Sequence, residues 1–251
     1  GSREMTFASD IDIIFVYDAP EESLSDGVKS YPPTVYYNRL AQRLLNLLTA
    51  MGRHGRLYEV DLRLRPSGGQ GLLITSRKGL EQYFGQSAWT FEFMALTKAR
   101  VAGGDSALAK DLQAFVREQL CKPRDAEKLK QDVRDMRERV AKEFSGSDPW
   151  DLKYARGGMM DLDFIAQYLL LLYAPKLDEA KTGSTREILC WLLAAGRIGS
   201  RMFVFEQDGG QQEFAVLLKD LVMKKPTSTA HFAAHRVGQP NDRSPLRNAV
   251  Q

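Results

Sequence analysis

Two hydrophobic periods follow one another along this chain, and the change comes near residue 105. Residues 11–17 form an apolar run rich in β-branched and aromatic side chains (Ile13, Ile14, Phe15, Val16, Tyr17), which predicts a buried strand. A loop rich in Pro, Ser, Asp and Glu fills 19–33. Thr34 then reads as the N-cap of a helix carrying Tyr36, Tyr37, Leu40, Leu44, Leu47 and Leu48 on one side. Past the glycines at 52 and 55, "RLYEVDLRLRPSGG" alternates cleanly. Tyr58, Val60, Leu62 and Leu64 point one way, while Glu59, Asp61, Arg63 and Arg65 point the other. That is a strand with one buried and one charged face, stopped by Pro66 and two glycines. "GLLITS" predicts a further short strand, and "GLEQYFGQSAWTFEFMALTKAR" a helix interrupted near Gly85.

Beyond residue 105 the strand signals stop. The spacing predicts helices over 107–120 and 125–144. A Gly-Gly turn in "DLKYARGGMMDLDFIAQYLLLLYA" opens a strongly apolar helix of roughly 14 residues, too short for a bilayer. Its expected core stripe is Phe164, Ile165, Tyr168, Leu169 and Leu172. One or two more helices are expected over 184–206. From residue 224 onward the chain turns polar and aperiodic, which predicts a loosely ordered tail. The fold class is therefore α+β. A mixed sheet with flanking helices is expected in 1–105, a helical domain in 106–223 and the tail in 224–251.

Composition narrows the picture little. At 251 residues, with 43% hydrophobic and 27% charged side chains, the chain is that of an ordinary globular protein of one large or two modest domains. The net charge of +3 and the scattered Lys and Arg argue against a nucleic-acid partner. No run is apolar enough for a membrane span, and there is no signal peptide. Cys121 and Cys190 form neither a metal spacing nor a disulfide framework, which points to a reducing, cytoplasmic setting. His231 and His235 are four apart, but they lie in the polar tail without ligand-like company.

The chemistry concentrates in "SDIDII". On a strand, residues two apart share a face about 6.5–7 Å apart, so Asp10 and Asp12 project side by side. Asp61 lies on the charged face of a second strand. If the two strands are neighbours, three carboxylates converge. Hard oxygen ligands of that kind suit Mg²⁺ or Mn²⁺, and a pair of such ions serves in-line phosphoryl displacement. Without a cation, the carboxylates would raise one another's pKa. Arg63 and Arg65 share the face of Asp61, where they suit either a structural ion pair or phosphate oxygens. Asp161 and Asp163, at the start of the apolar helix, suit either a helix cap or a role in orienting a ligand.

"GSREMTFASDIDIIFVYD" and "LYEVDLRLRPSGGQGLLITS" together resemble the DNA polymerase β-like nucleotidyltransferases, whose signature is a Gly-Ser, a D-x-D and a distal aspartate. "AWTFEFMALTKARVAGGD" and "DLKYARGGMMDLDFIAQYLLL" extend the resemblance to the glutamine synthetase adenylyltransferase family, in order, over about residues 1–175. The resemblance implies a nucleotidyltransferase palm followed by a helical bundle. It implies ATP as substrate and Mg²⁺ or Mn²⁺ at Asp10, Asp12 and Asp61. Gly1, Ser2, Ser9, Arg63 and Arg65 would then lie against the nucleotide. Glutamine synthetase and the PII signal protein would be the partners. "RLRPSG" and "AWT" resemble the adenylylating C-terminal half of these two-halved bacterial enzymes, rather than the half that removes AMP.

Departures accompany the likeness. The family's strand and turn before the Gly-Ser are missing, so the expectation is a fragment shortened at its start, with Gly1-Ser2 native despite resembling a tag scar. The family's aromatic motif reads "WTFEF" here and lacks its histidine, and Asp163 stands in place of a glutamate. The resemblance does not reach residues 207–251. Two alternatives stay open: the phosphorolytic, AMP-removing half, and an inactive fragment that only binds glutamine synthetase or PII.

Overall fold

The computed structural model describes residues 2–3, 9–53, 55–56, 58–66, 68, 71–144 and 151–199, together with the backbone of 203–208 and 211–216. Gly1, His231, His235 and the tail 224–251 lie outside the described residues. The chain divides into two compact units, 1–191 and 192–251.

The run expected as one strand over 11–17 is two, β1 (Asp10–Asp12) and β2 (Phe15–Tyr17). It is broken because its two ends take different neighbours. β1 pairs with β3 (Glu59–Asp61), and β2 pairs with β4 (Ile74–Ser76), both in parallel. Between them, the Ile13 N–H donates to the Asp61 carbonyl at 3.0 Å, so the ladder passes from one partner to the next. The expected mixed sheet is thus two small parallel pairs in this unit. The long alternating strand predicted from "RLYEVDLRLRP" also ends early, at Asp61, and residues 63–66 turn.

Helix α1 (Pro33–Leu48) opens on Pro32-Pro33 without a side-chain cap, so Thr34 lies inside the first turn rather than before it. The ring of Pro33 fixes φ and lacks the N–H that a cap would have satisfied. α1 packs on β4, where Asn38 Oδ1 accepts from the Leu73 N–H at 3.2 Å. α2 (Arg77–Gln86) is capped by Ser76, whose hydroxyl accepts from the Gly79 N–H. α3 (Thr90–Leu96) follows after the expected interruption. It starts with the buried Glu92 carboxylate accepting from the Trp89 N–H and from the Tyr83 hydroxyl at 2.8 Å. Burial, and then that carboxylate, push the Tyr83 phenol up to about 12.

α4 (Ser106–Cys121) and α5 (Ala126–Phe144) lie close to the predicted bounds, while α6 (Met159–Leu177) is longer than expected, at 19 residues. α6 is the core helix, packed by α3, α4 and α5. Its expected stripe is too narrow: Leu170, Leu171, Ala166 and Ala174 are fully buried with Phe164 and Leu169, while Ile165, Tyr168 and Leu172 are only partly covered. Neighbours on several sides remove the amphipathic contrast on which a stripe depends.

Across residue 105, α3 packs on α4, α5 and α6, and α2 packs on α4. Phe84 of α2 meets Phe93 of α3 and Phe115 of α4 edge-on, with ring centroids 5.4 and 5.8 Å away. Arg77 of α2 joins Asp111 of α4 in an ion pair. The first unit ends within α7 (Thr185–Ala194). The second unit contains an antiparallel pair, β5 (Phe203–Asp208) and β6 (Gln211–Val216), where the sequence predicted only helix. The signal was in the sequence: Phe203, Val204 and Phe205, then Asp208-Gly209-Gly210, then Phe214 to Val216 fit the pattern of a hairpin. Among the described residues, no helix is long and apolar enough to cross a membrane.

Because Phe84 is 5% exposed and joins three helices, Phe84→Ala should lower unfolding stability by about 3–5 kcal/mol. Urea titration followed by circular dichroism measures it. A loss below about 1 kcal/mol would mean that the three rings do not form one core.

Candidate active site

β1 and β3 are held in register: Asp10 faces Glu59, Ile11 faces Val60 and Asp12 faces Asp61. Parallel neighbours in register project side by side from strands about 4.8 Å apart. Asp12 and Asp61 therefore meet across the ladder, with Asp10 two residues along the same face. Glu59, opposite Asp10 in the ladder, is a fourth acidic residue on these two strands. It was legible in the alternation, but the three aspartates alone fit a familiar pattern.

The electrostatics of this face are uneven. Burial pushes the Asp12 carboxyl above its ordinary 3.8, and the neighbouring charges of Asp61 and then Asp10 push it further. Asp12 is exposed as a whole residue, yet the protein on one side of its carboxyl removes enough hydration to disfavour the charge. Asp61 goes the other way, held below the ordinary range chiefly by the hydrogen bond from the Arg63 side chain. Arg63 grips both oxygens: its backbone N–H donates to Oδ1 and its Nε to Oδ2, each at 2.8 Å.

The two arginines separate here. Ending the strand at Asp61 frees Arg63 from the sheet face, and its side chain is 85% exposed. Arg65, expected to project beside it, is 8% exposed and turned inward. Its Nε donates to the Leu72 carbonyl at 3.0 Å and its Nη1 to the Leu62 carbonyl. It ties the turn after β3 to the segment before β4. A buried guanidinium is stable there because carbonyl oxygens take its N–H groups.

Ser9 directly precedes β1 and, like Ser2, is partly exposed. Asp161 and Asp163 are both committed within the helical part. Asp161 accepts from the Gly157 N–H at 2.6 Å and pairs with Arg137. Asp163 pairs with Lys98 at 2.8 Å and accepts from the Thr185 hydroxyl. The first is a helix-start contact, as the capping alternative expected, and the second ties α6 to its neighbours.

The donor chemistry of the β1–β3 face fits a hard divalent cation: all ligands are oxygen, and their repulsion favours one. Among the described residues, no three acidic, histidine or cysteine side chains are gathered to hold a metal ion as they stand. Asp61 is turned onto Arg63, so closing the set requires it to be released.

The family model described as Glutamate-ammonia ligase adenylyltransferase matches residues 1–115, which include every residue of this acidic face. A Mesorhizobium japonicum protein named bifunctional glutamine synthetase adenylyltransferase/adenylyl-removing enzyme is 44% identical over 92% of the chain and 23% of its own length. The chain is similar to the glutamate-ammonia ligase adenylyltransferase family. Proteins of the same name from Brucella suis and Bradyrhizobium diazoefficiens are 47% and 44% identical, over 68% and 75% of the chain and 18% and 19% of their own lengths. The chain thus spans about a fifth of the length of these relatives. The likeness extends further than the motifs suggested, since a match over 92% of the chain must run past residue 206. Polar, aperiodic sequence has no motif by which to be read, so aligned identity is the signal that finds it.

The strain at Asp12 has a measurable sign. Its folded-state pKa is raised, so the penalty sets in as pH rises past 3.8 and is complete above the raised value. Asp12→Asn should therefore raise the melting temperature at pH 7 by about 1–3 °C, and the gain should shrink as pH falls toward 4. Calorimetry at two pH values tests this; a variant that melts lower at pH 7 would contradict it.

Proposed function

We propose that this chain carries an adenylyl-transfer site, in which Asp10, Asp12 and Asp61 hold Mg²⁺ or Mn²⁺ and ATP gives AMP to a tyrosine hydroxyl of glutamine synthetase. The observation that carries the reading is the register of Asp12 against Asp61, within the segment that matches the family model. Bound divalent charge would neutralise the triphosphate and polarise the reacting oxygens. The hydroxyl oxygen attacks the α-phosphorus, the bond to the bridging oxygen breaks, and pyrophosphate leaves with the electron pair.

The chain's own groups have separate tasks in this reading. Asp61 lies nearest the incoming hydroxyl and takes its proton, once released from Arg63. Asp10 and Asp12 would hold the cation at the triphosphate end, where its charge would offset that of the phosphates. Arg63, exposed and planar, reaches the phosphate oxygens, for which the guanidinium fork is well shaped. Arg65 acts at one remove by fixing the turn on which Arg63 stands. Ser2 and Ser9 supply hydroxyls at the nucleotide, beside Gly1. "RLRPSG" and "AWT" favour the adenylylating direction, with PII as a regulatory partner.

Incubation with ATP labelled in the α-phosphate, Mg²⁺ and glutamine synthetase tests the reading. Label should pass to glutamine synthetase. Asp61→Asn should cut transfer by at least about 100-fold while sparing most ATP affinity. Asp12→Asn should weaken Mg·ATP binding as well. Label released from pre-adenylylated glutamine synthetase by phosphate would assign the reverse direction. Glutamine synthetase bound without transfer would leave a binding fragment.

A further inference from the structure

Arg63 is the cation already present on the acidic face, and its attachment is unusually easy to undo. We propose that Arg63 is a built-in counter-ion latch: it holds Asp61 while no metal is bound and moves to the phosphates when Mg·ATP enters. This rests on the reading of the β1–β3 face as a metal–nucleotide site.

Four observations support a latch rather than a fixed strut. The guanidinium takes Oδ2 of Asp61 through Nε and Nη2, so it competes directly with a metal for that oxygen, while only the backbone N–H of Arg63 stays on Oδ1. It lies just past the end of β3, so the side chain can leave without breaking a ladder bond. At 85% exposure, Arg63 exchanges one solvated position for another and loses no packing. Arg65, by contrast, is buried and pinned to the Leu62 and Leu72 carbonyls, so the turn stays in place while one side chain swings.

The latch also answers a problem of the acidic face. Asp10 and Asp12 feel the Arg63 charge along with Asp61, so one mobile guanidinium tempers all three. A divalent ion does the same more strongly, and it brings with it the phosphates that give Arg63 a new partner. Metal and arginine thus exchange places without leaving either charge unmatched.

The signature is two changes of opposite sign, measured by isothermal titration of the whole chain. Arg63→Ala should bind Mn²⁺ alone about two- to five-fold more tightly, the range set by an exposed ion pair, and the gain should fade as salt is raised. The same variant should bind Mg·ATP more weakly than the parent. Arg63→Lys, which keeps the charge but not the fork, should stay near the parent for Mn²⁺ and lose part of the Mg·ATP affinity. Unchanged or weaker Mn²⁺ binding by Arg63→Ala, with the parent binding normally, would overturn the latch and leave the metal site standing. No Mn²⁺ binding by either protein would overturn both.

Discussion

Two strands hold Asp12 and Asp61 at the same level of one ladder, and everything else at this end of the molecule answers to that constraint. Side-by-side carboxylates on neighbouring strands cannot both ionise at their ordinary pKa. The fold resolves the conflict unequally. Burial and its neighbours push Asp12 up, while Arg63 draws Asp61 down. A stability-optimised strand pair would place apolar or oppositely charged partners there. Like charges in register are the feature on which the proposed cation site rests.

Holding such a face together requires rigidity behind it. The parallel ladders supply part: Ile13 donates to the Asp61 carbonyl, and β2 and β4 continue the pairing. Asn38 fastens α1 to the start of β4, and Arg65 clamps the turn that follows Asp61. Further back, Phe84 and Arg77 fix α2 against the helices. Those contacts make the first 191 residues one compact unit. Within that scaffold, the charge proposed to move is Arg63, whose side chain is largely exposed.

What could be read from the sequence follows from how local each feature is. Long helices with 3.6-residue period were found nearly to their ends, since the signal repeats over many turns. The acidic pair and its distal partner were legible because β-alternation fixes which side chains share a face. The length of β3 was not, because the alternation of Leu62 to Arg65 continues through a turn where it has no strand to serve. Arg65 looks identical to Arg63 in the sequence; only the turn sends one inward and the other to solvent. β5 and β6 were legible from Phe203-Val204-Phe205, the Gly209-Gly210 pair and Phe214 to Val216, a hairpin pattern that the helical expectation for this region passed over. Parallel rather than mixed pairing depends on long-range contacts that no local pattern encodes.

The central claim is that the β1–β3 face is completed by a divalent cation in exchange for Arg63. The most direct test is an anomalous difference map from crystals grown with Mn²⁺ and a non-hydrolysable ATP analogue. A peak between the carboxylates of Asp12 and Asp61, with Arg63 turned to the phosphates, is the predicted result. Bound analogue with no peak at those carboxylates, or a peak there with Arg63 still closed on Asp61, would contradict the account.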